Sequence, residues 1–380
     1  MLGIGVTQVV VCELAIVAGA LAAARSLWLL TAAVPVAIVA VLLAVGRWHG
    51  RWLYEELQVR RDFRRRAGRA RLPQTDDARL TLLRELLPAL EVTDVADRSG
   101  ARVGMLTDGR CWSVLLAVEA APDAGDAADG SPLPLGIVAE ALRTRDVRLA
   151  GVQVLVHTVP APTAALPPDA PCVRSYRGLS TEAVPARRST WIALKLDPEH
   201  CAAAVAARGG GALGAQRALL GTRSRLATSL QIAGVDARVV PAEEMLAVLA
   251  LAAGAAARGN AEGAPRTAEW WDAWAVDDTV QACFWVRKWS RLSRAGDKPL
   301  LARLGEVRGA FNAVSLTMTD EDARGLHIRA VVRVAGASRA ELQAIEAELR
   351  HIADEARLVR LDGEQLPAVL ETLPLGGSAR

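Results

Sequence analysis

Lysine is almost missing from this chain: Lys195, Lys288 and Lys298 are the only three in 380 residues. Arginine carries nearly all the positive charge, and the formal net charge is only +3. That balance excludes a dedicated nucleic-acid binder, which needs a marked basic excess. Aromatic residues are scarce at 4%, yet 52% of residues are apolar, too many for a disordered chain. Cysteine is sparse as well. Cys12, Cys111, Cys172, Cys201 and Cys283 form no CxxC and no paired spacing. They exclude a disulfide frame and a zinc site and read as reduced, mostly buried thiols.

Catalytic signatures are missing too. No GxxxxGK[ST] occurs, which excludes a P-loop ATPase, and there is no G-x-S-x-G, HExxH or metal-spaced histidine set. His49, His157, His200, His327 and His351 are scattered. His200 adjoins Cys201, but adjacent side chains on a helix diverge, so the pair reads as a solvated helix start rather than a thiol site. Asp277 with Asp278, and the trio Asp320, Glu321 and Asp322, sit at expected turns and read as solvated loop charges rather than a metal site. No catalytic residue, cofactor or metal ligand is therefore expected. One motif stands between two readings. "GGGALG", Gly209 to Gly214, is a literal G-x-G-x-x-G. A dinucleotide site needs a strand leading into the glycines, so that backbone amides and a helix N-terminus meet the pyrophosphate. Here "HCAAAVAARG" leads in and reads as a helix. A tight turn between helices is the expectation, and a phosphate site is the alternative.

What the chain has is a long apolar opening. Residues Leu2 to Gly46 would span about 68 Å as one helix, about twice a bilayer core. A break at Arg25 and Ser26 gives two spans, 3–23 and 27–46, each long enough to cross a membrane as a hairpin. "RWHGRWLYEELQVRRDFRRR", Arg47 to Arg66, follows at once. The excess of arginine after the second span orients that side to the cytoplasm, and Trp48, Trp52 and Tyr54 with Arg47 and Arg51 are candidate anchors at the membrane interface. Membrane lipid is the expected contact of this basic run; nucleic acid is the other reading. Glu13 lies within the first span, where a carboxylate must face another helix. It serves either as a packing contact or as a proton relay.

Beyond Pro73 the pattern becomes α+β. A helical run over 76–90 leads in. Strands are expected at 111–119, 147–158, 191–197 and 235–240, with helices at 135–143, 212–233 and 242–251. The order returns, with strands at 281–289, 311–319, 326–334 and 357–361 and helices at 299–307, 338–352 and 366–373. Ser338 with Glu341 makes a capping box, and Leu342, Ile345, Leu349 and Ile352 share one helix face. Each half reads β-α-β-β-α-β, the ferredoxin-like order. The expected fold class is thus α+β, a two-helix transmembrane hairpin followed by two ferredoxin-like units. The expected divisions are hairpin 1–46, juxtamembrane helix 47–72, first unit 73–253, linker 254–269 and second unit 270–380. Residues 121–131 and 159–188 read as loops.

"EWWDAWAVDD" is unusual in so aromatic-poor a chain. Trp270, Trp271 and Trp274 fit one helical turn, serving core packing or, since tryptophan concentrates at binding hot spots, a partner surface.

Together with "DRSGARVGMLTDGRCWSVLLAVE", "RSTWIALKLDPEHCAAAVAARGGGALGAQRALL" and "LDGEQLPAVLETLPLGG", these stretches resemble the EccE family, a membrane component of the actinobacterial type VII (ESX) secretion system. The resemblance implies a non-enzymatic subunit of a plasma-membrane complex beside the EccB, EccC and EccD proteins, with its soluble region in the cytoplasm. EccC is the ATPase there, which fits the missing P-loop. A membrane-anchored enzyme using a nucleotide or nucleotide-sugar, or a sensor of a small ligand, are the alternatives.

Overall fold

The computed structural model describes residues 51–67, 78–119, 133–144, 146–160, 186–255, 266–289, 300–304, 309–321, 325–353 and 356–377, with isolated positions between 13 and 48, at 170–175 and at 307. The expected loop 121–131, most of 159–188, and 256–265 of the expected linker lie outside them. The chain divides into two units, Met1–Ala70 and Arg71–Arg380.

The first unit holds a short hairpin, β1 (Arg47–Trp48) with β2 (Arg51–Trp52), and helix α1 (Leu53–Ala67). The sequence sets the helix start. Glu55 reaches back to accept from the Trp52 N–H at 3.2 Å, and it stands with Glu56 in the first turn, opposite Arg64, Arg65 and Arg66 in the last. Acid at the N-terminus and base at the C-terminus both suit the helix dipole. The expected transmembrane hairpin is corrected here: among the described residues no helix is long and apolar enough to cross a membrane. Most of residues 1–46 lie outside the described residues. Apolar composition does not fix a continuous helix, and a span needs about 20 consecutive helical residues.

The second unit is built on one antiparallel sheet of twelve strands. Its main order is β3 (Glu91–Ala96), β4 (Arg102–Thr107), β5 (Trp112–Val118), β7 (Ala186–Leu196), β6 (Gly151–Pro160), β12 (Phe311–Glu321), β13 (Gly325–Gly336), β11 (Thr279–Lys288), β10 (Trp274–Val276), β9 (Thr267–Glu269). β8 (Ala237–Val239) adds to β5, and β14 (Arg357–Arg360) adds to β11. The second half thus repeats the first in reverse spatial order. The expectation of two separate ferredoxin-like units is corrected: β6 pairs with β12 from Val152↔Met318 to Thr158↔Asn312, so both halves share one sheet. Mixed α+β fits only in part. The physical reason is that β6 and β12 would each be an exposed edge in a lone half, and pairing them satisfies both rows of backbone groups. Two strand pairs also went unanticipated, β3–β4 and β9–β10. "DRSG" between alternating apolar residues signals the first of them.

Alternation makes both sheet faces apolar. Val152, Val154, Ile192, Leu194, Phe284 and Val332 line one face. Helices α5 (Gly211–Ile232) and α8 (Arg339–Ile352) cover it with Ala215, Leu219, Leu226, Leu342, Ile345 and Leu349. α3 (Leu135–Glu140) adds Val138, and α7 (Leu300–Leu304) adds Leu300 and Leu304. Leu155, Trp191, Ala193, Cys283 and Val331 line the other face, beneath α2 (Ala78–Leu86), α6 (Ala242–Ala252) and α9 (Gln365–Glu371). Each buried leucine or isoleucine contributes about 2 kcal/mol. Thr267 of β9 donates to Glu85 of α2, which packs with α6 beside β3 and β4, so the two ends of the strand order close around this second face.

Candidate partner surface and the polar seam

The tryptophans expected on one helical turn are instead in the β9–β10 hairpin. Trp270 and Trp271 occupy its turn, closed by the Trp270 N–H donating to the Ala273 carbonyl at 2.8 Å. Trp274 lies on β10 and is 2% exposed, inside the second-face core. Trp271 is half-buried, and its carbonyl accepts from Gly363 at 2.6 Å. Trp270 is 39% exposed. The Arg339 guanidinium stands 4.9 Å over its ring and also pairs with Asp272. Behind them Glu346, nearly buried, accepts from Arg350 at 3.2 Å and Arg360 at 3.1 Å, and Arg360 also pairs with Asp362 at 2.6 Å. Burial works against the Arg360 charge, but its bonds and attraction to Asp362, and then to Glu346, hold its pKa above the ordinary arginine value. A rigid, charge-braced aromatic at a hairpin turn is the kind of group that anchors a protein interface.

A second aromatic group lies toward the far end of β11. Trp285 has Arg329 at 5.2 Å and Arg287 at 5.9 Å from its ring, and Trp289 beyond it is 37% exposed. The candidate interface anchors belong to the first unit. Trp52 is half-buried and Tyr54 exposed, its hydroxyl donating to Glu55 at 3.5 Å; the side chains of Arg47, Trp48 and Arg51 lie outside the described residues. Glu13 is helical and exposed.

The glycine motif is a turn between α4 (Ala202–Ala206) and α5. Gly209 and Gly210 donate back to Ala206 and Val205 at 3.1 and 3.0 Å, with φ of +108° and +70°. A Cβ on Gly214 would stand 2.2 Å from the Val205 carbonyl oxygen, so that glycine is there for close helix contact. The lead-in is helical, which leaves out the strand that a dinucleotide site requires. His200 and Cys201 diverge: His200 Nδ1 pairs with Asp197 at 3.0 Å, while the Cys201 thiol donates to the Arg148 carbonyl at 2.7 Å. Burial pushes the Cys111 thiol up to about 11 and the Cys283 thiol up to about 12, so neither is a ready nucleophile.

What sequence reasoning missed is a row of buried polar groups along the β6–β12 seam. Gln153, Leu155 and His157 face the second core, paired across to Thr317, Ser315 and Ala313. His157 is 1% exposed and stacks on Phe311 at 5.0 Å. Burial, and then the charge of Arg333, lower its pKa to about 3, so it is neutral. Arg333 is fully buried. It donates to Gln281 Oε1 at 3.0 Å and to the Ala252 carbonyl, and lies 5.2 Å over the Phe311 ring. Lys195 donates to Asp108 at 3.1 Å. Burial raises the Asp108 pKa, but the Cys111 amide, the Lys195 charge and the Arg110 amide outweigh it and hold the carboxyl below its ordinary range. The only sequence signal was polar residues at inward-facing strand positions, which reads equally well as an exposed face. Among the described residues no three His, Cys, Asp or Glu side chains gather as a metal site.

Residues 184–286, from just before β7 to near the end of β11, match the family model described as "Putative type VII ESX secretion system translocon, EccE". No curated protein matches the chain.

Proposed function

Taking the EccE match over residues 184–286 as the premise, we propose that this protein is a non-enzymatic structural subunit of a type VII secretion translocon. That family is a translocon component, which implies association with other translocon components and with the membrane. In our reading the partners are the EccB, EccC and EccD proteins at the plasma membrane, with the sheet unit on the cytoplasmic side. The exposed arginines of α1, with Tyr54, face anionic headgroups. The Trp270–Arg339 surface makes a contact to a neighbouring subunit.

The matched segment itself carries the proposal. It runs from one half of the sheet to the other and includes Trp270, Trp271 and Trp274. The glycine turn within it supports packing rather than nucleotide chemistry.

The test is extraction of the full chain from its own membranes in mild detergent, followed by native sizing. The expected result is a large assembly that holds a P-loop ATPase. Trp270→Ala with Arg339→Ala should shed partners while leaving the melting temperature nearly unchanged. Migration of the unaltered protein alone would overturn the reading.

A further inference from the structure

The segment Thr372–Gly377 follows α9, the last helix of the second half, yet most of its polar contacts are to the first half. Gln153 on β6 is 0% exposed and sits at the centre. Its Oε1 accepts from three successive amides, Leu375 at 3.0 Å, Gly376 at 2.9 Å and Gly377 at 3.3 Å. Its Nε2 donates to the Glu371 carbonyl and to Ser315, each at 2.8 Å, and Ser315 donates to that same carbonyl at 2.8 Å. On either side Ser113 of β5 donates to the Leu375 carbonyl at 2.9 Å, and Lys195 of β7 donates to the Gly377 carbonyl at 3.3 Å.

The fit leaves no room for side chains. A Cβ on Gly376 would lie 2.5 Å from Lys195 Cβ, and one on Gly377 2.5 Å from Thr317 Cγ2; both residues have positive φ, +82° and +91°. On the sheet side a Cβ on Gly151 would lie 2.6 Å from the Gly376 carbonyl oxygen. Successive amides converging on one acceptor form a backbone nest, and the nest here is filled by a side chain of the other half. Leu373 and Leu375 add apolar cover over the second core, at 0% and 7% exposed.

We infer that Thr372–Gly377 is a latch, seated in a slot formed by Ser113, Gln153, Lys195 and Thr317, that controls the opening of the seam between the two halves. With the latch seated, parting β6 from β12 must also break the nest on Gln153 and uncover Leu373 and Leu375. With it displaced, the β6–β12 ladder, the Gln153–Ser315 bond, the His157–Phe311 stack, the contacts of Arg333, the bonds of Arg143 and Arg148 to Asp320 and the Thr267–Glu85 bond still hold the halves, without the nest and its apolar cover. The inference stands apart from the translocon reading.

Hydrogen exchange of the full chain tests it, with Gly377→Ala and Gln153→Ala as variants. The first disturbs the latch through its own backbone, and the second removes the acceptor. The expected result is exchange about tenfold faster in β6 and β12 and in the amides of 375–377, with the outer hairpins β3–β4 and β9–β10 unchanged. If the latch amides speed up and the seam strands do not, the segment is only a surface cover and the inference fails. If every strand speeds up together, the residues are ordinary core and it fails as well. Should Gln153→Ala not fold, Gly377→Ala decides by the same reading.

Discussion

Beside the seam, the first half of the sheet places its polar side chain on the inner strand: Gln153 of β6, opposite Ala193. The second half places its own one strand further out: Arg333 of β13, opposite Ala313. What each must bind explains the difference. The end of α6 arrives over the second half with carbonyls that have no intrahelical donor, and Arg333 supplies N–H groups to Ala252. The Leu375–Gly377 turn arrives over the first half with three inward amides, and Gln153 supplies an oxygen. The final helix of each half thus packs on its own half, α6 on β3 and β4 and α9 on β11 and β13, while the end that follows it reaches across to the other. A shared topology does not impose shared polar chemistry; the exposed end of the visiting segment does.

The largest expected effect comes from breaking the cationic side of that comparison. Arg333→Ala leaves a void and strips the Ala252 carbonyl and Gln281 of their donor, for a loss of about 4 kcal/mol in denaturant unfolding. Arg333→Met fills the space without the charge and avoids burying a guanidinium, so its loss should be smaller. Equal losses from the two would show that the hydrogen bonds, not the volume, matter at this site.

These polar contacts also mark where sequence reading stops. The α5 and α8 helices and the central strands were legible because they alternate or repeat at helical spacing over many residues; Leu342, Ile345 and Leu349 form one buried stripe. The joining of the halves was not legible, since the pattern that buries β6 on both faces says nothing of which strand lies beside it. Trp274 was misplaced for a related reason. "EWWDAWAV" suits a helical turn locally, and only pairing to Gln281 across the hairpin makes it a strand. Of the candidate surface, Trp270 was readable from the sequence, but Arg339, distant in sequence and placed on it by α8, was not.

His157 sharpens the comparison through pH. Its native pKa is about 3, against an ordinary value of 6.5, because burial and Arg333 disfavour the charged ring. Between those values the unfolded chain binds a proton that the folded chain does not. Stability is therefore full above pH 6.5 and falls as pH drops toward 3. The slope reaches about 1.4 kcal/mol per pH unit, or about 3 kcal/mol by two units below the ordinary value. His157→Leu should remove this slope from a melting-temperature series between pH 4 and 7. An unchanged slope would place the acid sensitivity elsewhere.

Gly214 and Gly221 provide a test within one helix. A Cβ on Gly214 meets the Val205 carbonyl oxygen at 2.2 Å, whereas one on Gly221 meets nothing nearer than Arg225 Nη1 at 4.0 Å. Gly214→Ala should therefore cost about 2 kcal/mol by pushing α4 from α5. Gly221→Ala should stabilise by about 0.5–1 kcal/mol, since alanine restricts the unfolded chain and suits a helix. Two losses of equal size would mean that Gly221, like Gly214, is held against a neighbour that a Cβ would meet.

The smallest expected effect concerns how the long helix of each half begins. α8 starts at Ser338, whose hydroxyl accepts from the Glu341 amide at 3.2 Å, while Glu341 accepts from the Ala337 N–H at 2.8 Å. α5 starts at Gly210, with φ +70° and no side-chain cap. Ser338→Ala should cost about 1 kcal/mol. Gly210→Ser should not recover the same amount, because a serine there must hold φ +70° with ψ 172°, a region nearly reserved for glycine that costs about 1–3 kcal/mol and offsets the new cap. If Gly210→Ser raised the melting temperature clearly, the turn would have relaxed to an extended backbone at residue 210. The glycine run would then be needed at Gly214 for packing and no longer at Gly210 for its conformation.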